Sequence, residues 1–143
     1  MLKKEEKTQI QITKNFSVAE LEFYDKIPTE LLVYSKQLLE NLQVLRDHLG
    51  KPITIISGYR SPSRNNAVNG KAKSLHLWAA AADIQVKDVA PAIVYKTICD
   101  LIKSGKMYNG GVGQYGNKFV HYDVRSAVTG HTPGARWQET NDD

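Results

Sequence analysis

A chain of 143 residues with 41% hydrophobic positions is long enough to bury one core and too short to suggest two. Its single cysteine, Cys99, excludes an internal disulfide, and no run approaches the ~20 apolar residues that a membrane span needs. The formal charge of +4 and the pI near 9.1 are modest and dispersed, which suits an anionic polymer as partner without demanding one; a monomer with neither nucleic acid nor membrane insertion is expected.

The opening MLKKEEKTQI is charged and holds no apolar run of signal-peptide length, so synthesis in the cytoplasm is expected, with action elsewhere following release. Residues 1–15 read as a polar, loosely attached arm, residues 16–138 as one domain, and residues 139–143 as a polar tail. In NFSVAEL, Ser17 and Glu20 have capping-box spacing and Phe16 and Leu21 the spacing of a hydrophobic staple, which predicts a short helix. After Pro28, apolar residues recur at Leu31, Tyr34, Leu38, Leu42, Leu45 and Leu49 in steps of three and four, with Gly50 placed to close a long helix. KPITIIS is β-branched and reads as a short buried strand; GYRSPSRNNAVNG is rich in turn formers, with one helical turn around Arg64 to Val68. A second long helix is predicted from Ala90 to Lys103, with Val94, Ile98, Leu101 and Ile102 inward, Cys99 packed on its apolar face and Gly105 as its stop. GGVGQYG and NKFVHYDVR then read as a hairpin turning at Gly116-Asn117. The fold class is α+β: a small, largely antiparallel sheet with helices packed on it.

SLHLWAAAADI, Ser74 to Ile84, is ambiguous on local grounds. Alanine is the best helix former, and a helix would put His76 and Asp83 on one face but ~10.5 Å apart along the axis, too far for one ion. A loop that turns into a strand near Ala80 would bring them together, yet four alanines make a poor strand. Local physics leaves the two even.

The second polar cluster tips the balance. In KFVHYDVR a strand puts His121 and Asp123 on one face, ~6.7 Å apart. His76, Asp83 and His121 would make a His2Asp set with a fourth position for water, which is a catalytic and not a structural arrangement. The bland alternatives are a solvated loop histidine, a strand-capping aspartate and a sheet histidine satisfied by a backbone carbonyl.

SGYRSPSRNNAVNG, KSLHLWAAAADI, GGVGQYG, FVHYDVR and the late ARW resemble the successive motifs of the zinc D-alanyl-D-alanine carboxypeptidase-like peptidases of bacterial cell walls, over about Phe16 to Trp137. The small subgroup common in bacteriophages and prophages, endolysin-like and similar to the murein endopeptidases, is the best match. The resemblance favours loop and strand over helix. It implies one Zn2+ held by His76, Asp83 and His121, with Arg60 of the Tyr59-Arg60 element binding a substrate carboxylate and Tyr59 and Ser74 lining the cleft. The expected activity is hydrolysis of amide bonds in peptidoglycan stem peptides or crosslinks, on peptidoglycan or its muropeptides.

Two positions depart from the family pattern. Ala79 stands where glycine is usual, so its backbone must avoid positive φ or carry strain. Lys118 stands where many relatives place the catalytic acid, which makes Asp123 the expected general base. These departures sustain an alternative, a non-catalytic zinc-containing wall-binding module or virion component. His48 reads as a surface residue at a helix C-terminus and His131 as part of a Gly/Thr/Pro loop beside or away from the cleft. Trp78 and Trp137 read as core or cleft-wall aromatics.

Overall fold

The computed structural model describes residues 1–139. Three helices, α1 (Leu32–Leu49), α2 (Pro62–Ala67) and α3 (Pro91–Lys103), accompany five strands: β1 (Ile53–Ser57), β2 (Ala81–Val86), β3 (Gly111–Tyr115), β4 (Phe119–Asp123) and β5 (Arg136–Glu139). The strands form one sheet in the order β1-β2-β4-β3-β5. Three pairings are antiparallel, but β5 lies parallel to β3, so the sheet is mixed. The expectation of a largely antiparallel sheet missed β5 because RWQE shows neither the length nor the alternation of a strand.

The pleat sorts the sheet into two faces. Ile84, Val120, Tyr122 and Val112 are 0 to 1% exposed and join Val94 and Ile98 of α3 and Leu38 and Leu42 of α1 in one core. The opposite face carries Asp83, His121, Gly113 and Trp137, aligned in one row by the register Asp83↔His121↔Gly113↔Trp137. That row is the floor of the site.

Local signals placed most elements. Glu20 Oε2 accepts from Ser17 N at 2.8 Å, and Phe16 and Leu21 are buried together beneath that turn. Gly50 ends α1 at φ 63, in the left-handed region that glycine enters without penalty. Strand β1 corrects its expectation: it is an edge strand with Thr54 and Ile56 turned outward.

The amino-terminal arm is also less loose than its composition suggests. Glu22 is fully buried, and an isolated buried carboxylate is costly. Its oxygens accept from Thr8 N, Thr8 Oγ1 and Ile27 N, while Leu2 N bonds Phe23 O at 2.9 Å, so the arm is stitched to the domain. At the other end Glu139 belongs to β5, and residues 140–143 of the expected tail lie outside the described residues. No described helix is long and apolar enough to cross a membrane.

Candidate metal centre

The tetra-alanine stretch is neither a helix nor wholly a strand. A 3-10 turn, Leu75–Trp78, runs from Ser74, whose Oγ accepts from His76 N at 3.2 Å. Ala79 then reverses the chain at φ 54, ψ 33, and Ala81 and Ala82 enter β2. The left-handed alanine costs roughly 1–2 kcal/mol, and the paired backbone of a strand held on both sides outweighs it. Ala79 thus takes the strain that glycine would avoid, without displacing the histidine.

His76 is fixed from behind. Its Nδ1 lies 2.7 Å from Gly58 O, and a carbonyl only accepts, so Nδ1 carries the proton and Nε2 presents its lone pair. Glycine at 58 lets this segment pass close to the Leu21 backbone, since a Cβ there would sit 2.6 Å from Leu21 O. His76 Nε2 then stands 3.5 Å from Asp83 Oδ2, and His121 Nδ1 3.0 Å from Asp83 Oδ1. Donors around one tetrahedral zinc at ~2.0–2.1 Å are ~3.3 Å apart, so Asp83 already stands at that spacing from each of the two imidazoles. One donor atom from each lies within 4.8 Å of the other two, and all three residues are buried.

Asp123 holds His121 from the other side. Its Oδ2 is 2.7 Å from His121 Nε2 and accepts from Arg125 Nη2 at 2.9 Å. Its Oδ1 accepts from Gly111 N at 2.9 Å, Arg125 N at 3.1 Å and Arg125 Nε at 3.0 Å. The residue borders the cleft, but the carboxylate is 0% exposed and both its oxygens already accept hydrogen bonds. Sequence reasoning made it the expected general base; in the structure it holds the Nε2 side of His121, while Nδ1 faces Asp83. Arg125, which completes this arrangement, carried no recognisable signal beyond its place two residues after Asp123.

Charge follows geometry. Burial would raise the Asp83 and Asp123 pKa values, but hydrogen bonds and charge from His121 and His76 on the first, and from His121 and Arg125 on the second, hold both well below the usual carboxylate range. Burial works against protonated His121, yet its bonds to Asp123 and Asp83 outweigh it and push its pKa up to about 9.

The cleft over this row has a volume of about 730 Å³. Arg60 lines it, with only long contacts to Asn65 Oδ1 at 3.4 Å and Ser57 Oγ at 3.5 Å and no carboxylate within ion-pair distance among the described residues. A half-buried guanidinium without a counter-charge is a ready anion site. Ser74 and His131 also line the cleft, His131 bridging Thr129 O at 2.7 Å and Lys73 O at 2.8 Å. Trp137 forms a wall, its ring 5.3 Å from that of His121; Gly113 makes room, since a Cβ there would meet the indole at 2.2 Å. Tyr59 is not brought here: it is 6% exposed, in the core, and is absent from the cleft wall. Lys118 is exposed on the hairpin, outside this cleft; Trp78 packs edge-on against Tyr34, and His48 is exposed on α1. Tyr115 and Glu139, which sequence reasoning passed over, share the cleft face in the adjacent row.

A cluster of nitrogen and oxygen donors on the floor of an open cleft, backed by hydrogen-bonded partners and facing a free guanidinium, is the layout of a catalytic metal centre. The chain belongs to the Peptidase M15 family, whose model matches residues 13–123, and peptidases of that family are metal-dependent. It is also 34% identical over 98 residues to the peptidoglycan L,D-endopeptidase MepK of Escherichia coli strain K12, and equally so to MepK of Escherichia coli O157:H7 and of Shigella flexneri. Each match covers 63% of this chain and 50% of the relative, so the chain spans about half the length of these curated relatives.

Proposed function

We propose that this protein is a peptidase with one Zn2+ that hydrolyses an amide bond in peptidoglycan stem peptides or crosslinks. The observation that carries the reading is the His76, Asp83 and His121 donor set at ligand spacing, in a cleft that also holds the uncompensated Arg60. Two imidazoles and one carboxylate suit zinc, which when bound supplies an acidified water and a polarised carbonyl. The name of the MepK relatives supports an L,D bond as the one cut.

In this reading Arg60 pairs with a substrate carboxylate and sets the register of the scissile bond. Asp123 and Arg125 act as positioning residues: they keep the His121 Nε2 proton in place and so keep Nδ1 available. With Asp123 saturated, Glu139 is the candidate proton acceptor, being an exposed carboxylate on the cleft wall with no side-chain partner among the described residues. Ser74 holds the turn that presents His76 and borders the substrate. The protein acts as a monomer on the cell wall, reaching it by a phage-type or other release route.

Incubating the zinc-loaded protein with purified sacculi and analysing released muropeptides by mass spectrometry tests the reading and names the bond. Chelation should stop release and zinc should restore it. Intact sacculi after exposure to the zinc-loaded chain would refute hydrolysis and favour the wall-binding alternative, which co-sedimentation with the sacculi would then reveal.

A further inference from the structure

Tyr115 stands at the end of β3, one strand and one row away from His121, because Tyr115 pairs with Phe119 while Gly113 pairs with His121. That separation is ~8 Å between Cα atoms, from a strand spacing of ~4.8 Å and a two-residue step of ~6.7 Å, and both side chains rise on the cleft face. The ring is held on two sides. It stacks on Phe119 with centroids 4.7 Å apart and planes 15° from parallel, and Trp137 Nε1 lies 3.0 Å from its hydroxyl oxygen.

The direction of that last bond is decisive. An indole N–H only donates, so the phenol oxygen accepts and its own proton must point elsewhere. No described residue accepts it. Tyr115 is half-buried in the wall of the cleft that contains His76, Asp83 and His121, so the group left to receive the proton is whatever occupies the cleft. Burial, and after it the carboxylates of Glu139 and Asp83, push the Tyr115 pKa above the ordinary tyrosine value against Trp137 and Arg60, which keeps the hydroxyl protonated at neutral pH.

Trp137 serves both sides of this arrangement. Its ring packs over His121 and its N–H locks the rotation of the Tyr115 hydroxyl, so one side chain couples the metal row to the neighbouring row. A donor that is oriented before substrate arrives needs no reorganisation as charge develops, and that is the property by which oxyanion holes accelerate acyl transfer. We propose that the Tyr115 hydroxyl is a fixed hydrogen-bond donor to the substrate carbonyl oxygen as it becomes an oxyanion, a role that rests on the peptidase reading above. No proton is transferred from Tyr115; the bond only strengthens as negative charge gathers on that oxygen.

The test compares zinc-loaded wild type with Tyr115→Phe, using a crosslinked muropeptide as substrate and a phosphinate analogue in which a tetrahedral anionic group replaces the scissile amide. Removing one oxyanion donor should lower kcat by ~10²- to 10³-fold, with KM, zinc content and Tm near wild type. By calorimetry the variant should bind the phosphinate more weakly while binding the product peptide as before. An unchanged kcat, or equal weakening for phosphinate and product, overturns the proposal. If wild type cuts no muropeptide, the peptidase reading falls by itself and calorimetry decides: selective loss of phosphinate binding in the variant supports the donor, and equal binding by both, or binding by neither, overturns it. Should Tyr115→Phe lose its fold, Trp137→Phe keeps a ring over His121 and removes the N–H that orients the phenol; a fall in kcat at unchanged KM supports the proposal, and an unchanged kcat overturns it.

Discussion

Replacing Asp123 by asparagine separates an anchor from a base, because the structure assigns every lone pair of this carboxylate. Asp123 accepts from His121 Nε2, Arg125 Nη2, Arg125 Nε, Arg125 N and Gly111 N. Asparagine is nearly isosteric but offers one oxygen and one NH2. Whichever way the amide turns, its NH2 confronts either the His121 and Arg125 donors or the Gly111 and Arg125 donors. At least two bonds are lost in either orientation, at least one of them to a charged group and worth ~1.5–3 kcal/mol, and the Arg125 charge is left short of its partner. The expected destabilisation is ~3–5 kcal/mol, the range for breaking a buried pair from one side. For a chain of this size that lowers Tm by roughly 10 °C in the chelated protein. Because His121 is no longer held to one tautomer, zinc affinity should fall by roughly 10- to 100-fold while the rate recovers at saturating zinc. Thermal melts with chelator, and muropeptide hydrolysis followed through a buffered zinc titration, provide both readings. A rate reduced by ~10²- to 10⁴-fold at wild-type zinc affinity, and not recovered by added zinc, would refute the anchoring argument and restore Asp123 as the general base.

Arg60→Ala should lower kcat/KM by roughly 10- to 100-fold, mainly through KM, since a charge-assisted bond contributes ~1.5–3 kcal/mol; zinc content by atomic absorption should stay at wild type, and zinc loss would mean that Arg60 supports the fold. Gly113→Ala pushes a methyl into the Trp137 indole, which would lie 2.2 Å away. Overpacking of this kind costs ~1–3 kcal/mol, and tryptophan fluorescence should shift to the red as Trp137 is expelled; an unshifted spectrum and unchanged Tm would contradict the close packing. The metal-free protein should lose stability as pH rises. The His121 pKa is raised to about 9 from 6.5, so the contribution is complete below about pH 6.5 and lost as pH passes through about 9, an effect of about 3 kcal/mol. Melts of chelated protein at pH 6 and pH 9.5 measure it. Zinc affinity should rise over the same window as the competing proton leaves, and a pH-independent affinity would exclude His121 Nδ1 as a ligand.

Much of this protein is written in local pattern. The 3.6-residue repeat of leucines specified α1, Gly50 its end, and Gly116-Asn117 the β3–β4 hairpin, because each depends on neighbours a few residues away. The candidate metal donors could be picked out for a related reason: His76 and Asp83 flank a single turn-to-strand transition, and His121 sits at a stated parity on one strand. What the resemblance to cell-wall peptidases decided at Ser74 to Asp83, alanine's helix preference alone would have left open, since the pairing of β2 with β1 and β4 is non-local. Register decided the rest. Asp123 reads in sequence as a carboxylate beside a histidine; only the tertiary packing of Arg125 and Gly111 against it shows that both its oxygens are engaged. Tyr59 adjoins Arg60 in the chain but points into the core. Strand β5, too short to announce itself, places Trp137 against His121 and Tyr115 because Gly113 opposite it has no side chain. Spacing along a chain limits which side chains can share a face, and the alignment of strands distant in sequence determines which of them meet.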